Sequence, residues 1–216
     1  MVLQFKKVFL RARVKRREFA IITNNCWGAH IFQALDLPYN SPFVGLFLTP
    51  TCYLRLLARF RYYLSQPLKF ATRSSDDYIN QLMKVLNKSW PIGVLGGDVE
   101  IQFLHYATER EAMEKWQRRL SRMPSGEDQL FFKFCDHDGC TQRQAQVFDA
   151  LPLPHKVFFT ANEMPGIKCA VFIPSKMSRV PDGLDLASIS PQLFDTADWL
   201  NGGTGLPKWW SKLNCI

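Results

Sequence analysis

Eight short apolar runs alternate with stretches of helical periodicity along most of this 216-residue chain, and that alternation limits its fold more than any other feature. The runs cover residues 19–23, 43–48, 68–71, 92–95, 101–104, 130–134, 156–160 and 170–173, and read as strands. Between them, helices are predicted over 27–35, 51–64, 76–87, 109–123, 142–151 and 192–200. Strands that alternate with helices pair in parallel, because each helix carries the chain back across the sheet. The expected fold is therefore a single α/β domain, a layered α/β/α arrangement with a mainly parallel sheet, over residues 18–205. The segment 173–189 is rich in Ser, Pro and Asp and reads as a long loop. Residues 206–216 form an aromatic tail with Trp209 and Trp210.

The net charge of +8 suggests nucleic acid until it is located. Residues 1–17 hold Lys6, Lys7, Arg11, Arg13, Lys15, Arg16 and Arg17 and no acid. Without those seven, the 27 basic residues fall to 20 against 19 acidic ones, so the body is nearly neutral and no nucleic-acid partner is expected. The leader is amphipathic and can rest on an anionic inner-membrane surface or stand as a solvated basic arm. The six cysteines include no Cys-x-x-Cys pair and lie far apart, as in a reducing compartment. No apolar run reaches membrane-spanning length, and the expected location is cytoplasmic, with peripheral contact to the inner membrane.

Chemistry collects where strands of such folds end. After the first run comes Thr23-Asn24-Asn25-Cys26-Trp27-Gly28, which leads straight into a predicted helix. Helix N-terminal N–H groups favour a thiolate at that point, although cysteine is also a common buried hydrophobe. A second end delivers His105, preceded by the turn Gly96-Gly97-Asp98-Val99-Glu100. If the two ends converge, His105 can act as base toward Cys26, with Asp98 or Asp136 orienting its ring. The third end is Cys135-Asp136-His137-Asp138-Gly139-Cys140, whose Asp136 and Asp138 suit a divalent metal and equally suit an ordinary turn. Thr108 and Glu111 have the spacing of a capping box, and Lys115, Arg118, Arg119 and Arg122 share one face of the helix that follows. That face can hold phosphates or an anionic glycan, or merely be solvated. No dinucleotide fingerprint, P-loop, zincin or nucleophile-elbow motif is present.

Asn24-Asn25-Cys26-Trp27-Gly28, 38–47, 98–106, Lys115-Trp116-x-Arg118-Arg119 and 134–141 together resemble a bacterial family, the domain of unknown function nineteen-nineteen. Its members are usually labelled exopolysaccharide or capsule biosynthesis proteins, so the resemblance implies a role in surface polysaccharide production. Asn25-Cys26 is also similar, at a greater distance, to the Asn-Cys-Gln motif of capsule-biosynthesis acetyltransferases that bind coenzyme A, with Trp27 in place of Gln. The resemblance implies a sugar O-acetyltransferase that uses acetyl-CoA and a glycan or lipid-linked sugar acceptor. Cys26 would be nucleophile or oxyanion-side anchor and His105 general base. Asn24, Asn25, Trp27 and Gly28 would line the oxyanion and substrate site, with Arg118 and Arg119 on phosphates. Two alternatives stand beside it: a glycosyl- or sugar-phosphate transferase with a divalent metal at Asp136 and Asp138, and a non-catalytic assembly or regulatory protein.

Overall fold

The computed structural model describes residues 2–137 and 139–206, with side chains from Val8 onward. Asp138 and the aromatic tail from 207 lie outside the described residues. The chain is mixed α/β, as the alternation of runs requires. Strands β1 (Ala20–Thr23), β5 (Leu130–Cys135), β6 (Lys156–Thr160) and β7 (Ala170–Phe172) form a parallel sheet in the order β1-β5-β6-β7. A second sheet, antiparallel, holds β2 (Lys69–Ala71), β3 (Ile92–Leu95) and β4 (Val99–Gln102).

The parallel sheet is buried on both faces, which is why its strands read as continuous apolar runs. Side chains of a strand alternate between faces, so β1 and β5 each feed two cores. Ala20, Ile22, Phe132 and Phe134 pack with helices α3 (Pro50–Ala58), α4 (Phe60–Ser65), α6 (Glu109–Leu120) and α7 (Gln142–Ala150) and with the second sheet. Ile21, Phe131 and Cys135 face α2 (Trp27–Leu35), α8 (Gly183–Ile189) and α9 (Thr196–Leu200). Every residue of β5 is buried, including Lys133.

Several local expectations change, and the helix expected over 192–200 begins only at Thr196. Residues 43–48 form no strand: only Phe47 pairs, with Gln102, because Gly45 takes a left-handed φ of 73° that breaks extended backbone. The helix expected over 51–64 divides at Arg59, whose φ of −136° and ψ of 46° end α3 before α4 begins. The loop expected over 173–189 contains α8, whose start Asp182 caps by accepting hydrogen bonds from Leu184 and Asp185 N–H at 3.0 and 3.1 Å. At α6 the Thr108 hydroxyl accepts from Glu111 N–H at 3.2 Å, but the Glu111 carboxylate turns to Ala107 N–H instead of closing the box. The reciprocal box forms at Thr141 and Gln144, ahead of α7.

The basic leader is helix α1 (Val2–Arg13), laid against α2 and α9. Arg11 Nε donates to Ala34 O at 2.9 Å, Arg13 pairs with Asp195, and Val14 is buried. Residues 8–17 are thus part of the packed body. The second sheet and α5 (Asp77–Leu86) sit beside the parallel sheet, around a small core of Phe47, Ile79, Trp90 and Ile92.

Candidate active site

The turn between β1 and α2 is built by its own small polar residues. The Thr23 hydroxyl donates to Asn25 O and accepts from Asn25 N–H at 3.3 Å, which folds the chain back within two residues. The Asn25 amide oxygen accepts from Trp27 N–H at 3.3 Å, and the helix begins there. Gly28 is required by closeness: a Cβ would lie 2.7 Å from Thr23 Cγ2. This geometry leaves Cys26 partly exposed at the cap position of α2, where helix partial charge favours a negative sulfur.

The second sheet brings the histidine. Phe47 exchanges both backbone hydrogen bonds with Gln102 at 2.8 Å, and the next residue, Leu48, donates its N–H to Asn24 O at 2.9 Å. One short segment therefore ties the end of β4 to the Cys26 turn. His105 N–H donates to Gly45 O at 3.3 Å, and a Cβ on Gly45 would meet Tyr106 at 3.2 Å and His105 at 3.4 Å. The outcome is Cys26 Sγ at 3.4 Å from His105 Nε2, within sulfur hydrogen-bond reach. The two strand ends, whose convergence the sequence left as a condition, meet in space.

Both residues open into a cavity of about 730 Å³, in the size range of small-molecule sites. Its wall includes His30 one turn along α2, Lys115 and Arg119 from α6, and His137 and Arg179 from the third strand end and the loop beyond β7. His137 Nδ1–H donates to Val180 O at 2.8 Å, which fixes that ring. Burial pushes the Tyr106 phenol above its ordinary range, against the pull of Arg119. Its hydroxyl donates to Val44 O and accepts from Arg119 Nη1.

Other expected residues serve elsewhere. Asp98 does not line this cavity: its carboxylate accepts from the Tyr63 hydroxyl at 3.0 Å and pairs with Arg55 at 3.6 Å. Asp136 is buried and accepts four hydrogen bonds, from Thr160 Oγ1, Ala161 N–H and Asn162 Nδ2 on one oxygen and Val180 N–H on the other. It ties the end of β6 to the loop that carries Arg179, and it does not orient His105. Trp27 is turned into the core against Phe159 and Trp199. Arg118 is exposed and lines no part of the cavity, so Lys115 and Arg119 alone represent the cationic face of α6 there. Among the described residues, no group of three or more His, Cys, Asp or Glu side chains is arranged to hold a metal ion.

Sequence reasoning missed Lys133. It is 0% exposed, beneath the Cys26 turn, with Nζ donating to Asn25 Oδ1 at 2.9 Å and Cys135 Sγ at 3.0 Å and lying 3.4 Å from Asn24 Oδ1. The Asn25 amide nitrogen donates to Cys135 Sγ at 3.3 Å. Both asparagine side-chain oxygens thus accept from this lysine. The signal was present: a single lysine interrupts the otherwise apolar run 130–134. Gly183 was also missed, since a Cβ would sit 2.8 Å from Trp27 N and 3.0 Å from Cys26 C. The start of α8 is pressed onto the backbone of the turn.

Comparison with known proteins agrees with the family resemblance. Residues 1–201 match the family model described as Domain of unknown function (DUF1919). An uncharacterized protein of Haemophilus influenzae is 38% identical over 198 residues, which cover 89% of this chain and 88% of that one.

Proposed function

We propose that this chain, which belongs to the DUF1919 family, is a transferase of bacterial surface polysaccharide biosynthesis that moves an acetyl group from acetyl-CoA to a sugar hydroxyl. One observation carries the reading: a cysteine at a helix N-terminus lies 3.4 Å from a histidine ring nitrogen, and both face a cavity large enough for a small-molecule substrate.

In this reading His105 takes the Cys26 proton and the sulfur attacks the acetyl carbonyl carbon. The new C–S bond to Cys26 forms as the bond to the coenzyme A sulfur breaks, and His105 returns its proton to that departing thiolate. A sugar hydroxyl then gives His105 its proton and attacks the acetyl carbon. The Cys26–carbon bond breaks, and His105 gives the proton back to the Cys26 sulfur, which regenerates the pair. The acceptor is a glycan or a lipid-linked sugar, and the exposed Val8 and Phe9 on the basic helix α1 would rest on the membrane that presents it.

Surface polysaccharide from cells that carry Cys26→Ala in place of the native chain tests the reading. Loss of O-acetyl groups from a chain of unchanged length is the expected result, with a fall of at least about a hundredfold in transfer by the purified variant. Full acetylation in that strain would overturn it.

A further inference from the structure

We infer that the part of the cavity wall formed by Arg119, Lys115 and Arg179 is a diphosphate-binding subsite, an inference that rests on the cavity's being the active site and names the chemistry its substrate carries. Buried charges in proteins are normally paired, because an uncompensated one loses its hydration without return. Arg119 departs from that rule. It is only 8% exposed, yet among the described residues it forms no ion pair. Its partners among the described residues are neutral: Nη1 donates to Val44 O at 3.0 Å and to the Tyr106 hydroxyl, and the guanidinium lies 4.9 Å from the Tyr39 ring and 5.9 Å from the Tyr106 ring. These contacts fix the plane of the fork and leave its charge facing the cavity unneutralised.

The surroundings add positive charge. Lys115 lies one turn before Arg119 on the same face of α6, and Arg179 reaches the same cavity from the loop that Asp136 holds. Arg179 likewise forms no ion pair among the described residues, and Lys115 shares its charge with the partly exposed Glu111. Among the described residues Asp182 is the one carboxylate in the wall, and its oxygen is engaged by the α8 N–H groups. A diphosphate presents several anionic oxygens on two centres and can meet both the Arg119 and the Arg179 guanidinium, which a single carboxylate does not span. Coenzyme A and nucleotide sugars both bear that group, and either would bring its reactive end toward Cys26.

Isothermal titration calorimetry on the full chain, at fixed ionic strength, tests this with pyrophosphate, coenzyme A, uridine diphosphate and glucuronate as probes. Pyrophosphate is expected to bind at millimolar concentration or better. Its affinity should fall at least about tenfold in the Lys115→Ala/Arg179→Ala double variant, whose changes are at accessible side chains. Arg119→Gln should lose binding, and Arg119→Lys should retain part of it, which separates lost charge from lost folding. A tighter fit of coenzyme A than of uridine diphosphate would identify the acyl donor as the source, and the reverse order a nucleotide sugar. Cys26→Ala is expected to bind pyrophosphate as the parent does. Intact binding without acetyl transfer would therefore reject the acyltransferase reading and leave the subsite standing. Absent pyrophosphate binding, equal binding by the double variant, or preference for glucuronate would overturn the subsite.

Discussion

Asn25 makes more of the site than any other single residue. Its amide oxygen receives both Lys133 Nζ and Trp27 N–H, and its amide nitrogen reaches Cys135. Asn25→Ala should cost about 2 kcal/mol, because it strips a buried lysine of its best acceptor and the Trp27 N–H of its partner; urea unfolding measures this. Glu100 gives a pH signature. Burial alone would raise its pKa, but hydrogen bonds from Ser74 and Ser75 outweigh that and hold it below the ordinary glutamate range. A lowered folded-state pKa means stability that is present above the unfolded value and lost as pH falls through the folded one. Burial lowers the pKa of His155, which acts in the same direction. Glu100→Gln should therefore destabilise the protein by about 1–2 kcal/mol at neutral pH and by far less in acid, as thermal melts at the two pH values would show. Cys26 and His105 were legible because each follows an apolar run at a strand end. Lys133 was passed over because a central strand was read by its apolar majority. Arg179 sits in a polar loop with no local signal at all, and only the Asp136 hydrogen bonds give it a place.

Helix α8 shows how an element can be hidden by composition yet decide the site. Its seven residues lie in a stretch of Ser, Pro and Asp, too short for a visible period. Its first residue, Gly183, touches the Cys26 backbone so closely that no side chain fits. Ala is the better helix former by about 1 kcal/mol, so propensity alone would make Gly183→Ala stabilising. Overpacking should win instead, at about 1–3 kcal/mol, and push the Cys26 turn away from His105. The expected result is a lower melting temperature together with an altered rate of Cys26 alkylation by iodoacetamide; a variant more stable than the parent with an unchanged rate would contradict it. The parallel strands, in contrast, stood out in the sequence, since burial on both faces demands unbroken apolar runs. Gly96-Gly97 was legible as a turn, but the antiparallel pairing of β3 with β4 and its register were not. Pairing starts at Leu95 with Val99, two residues before the expected strand.

The molecule joins two sheets to make one site. The parallel sheet supplies Cys26, His137 and the loop of Arg179, and the antiparallel sheet supplies His105 through the bridge of residues 45–48. An alternation of runs predicts the first sheet and says nothing of how the second is docked, so the pairing of Cys26 with His105 follows from tertiary contacts and not from the sequence pattern. The leader belongs to this body as well. Deleting residues 1–17 removes buried Val14 and the Arg13–Asp195 pair, and should lower stability by about 2–4 kcal/mol in urea unfolding. No described helix is long and apolar enough to cross a membrane. The central claim is that the Cys26–His105 pair carries an acyl group. Intact-mass and peptide mass spectrometry of the full chain incubated with acetyl-CoA, without acceptor, tests it most directly. One acetyl group is expected on Cys26, removable by hydroxylamine, absent from Cys26→Ala and formed far more slowly by His105→Ala. An unmodified Cys26, or an acetyl group that forms equally fast without His105, would contradict it.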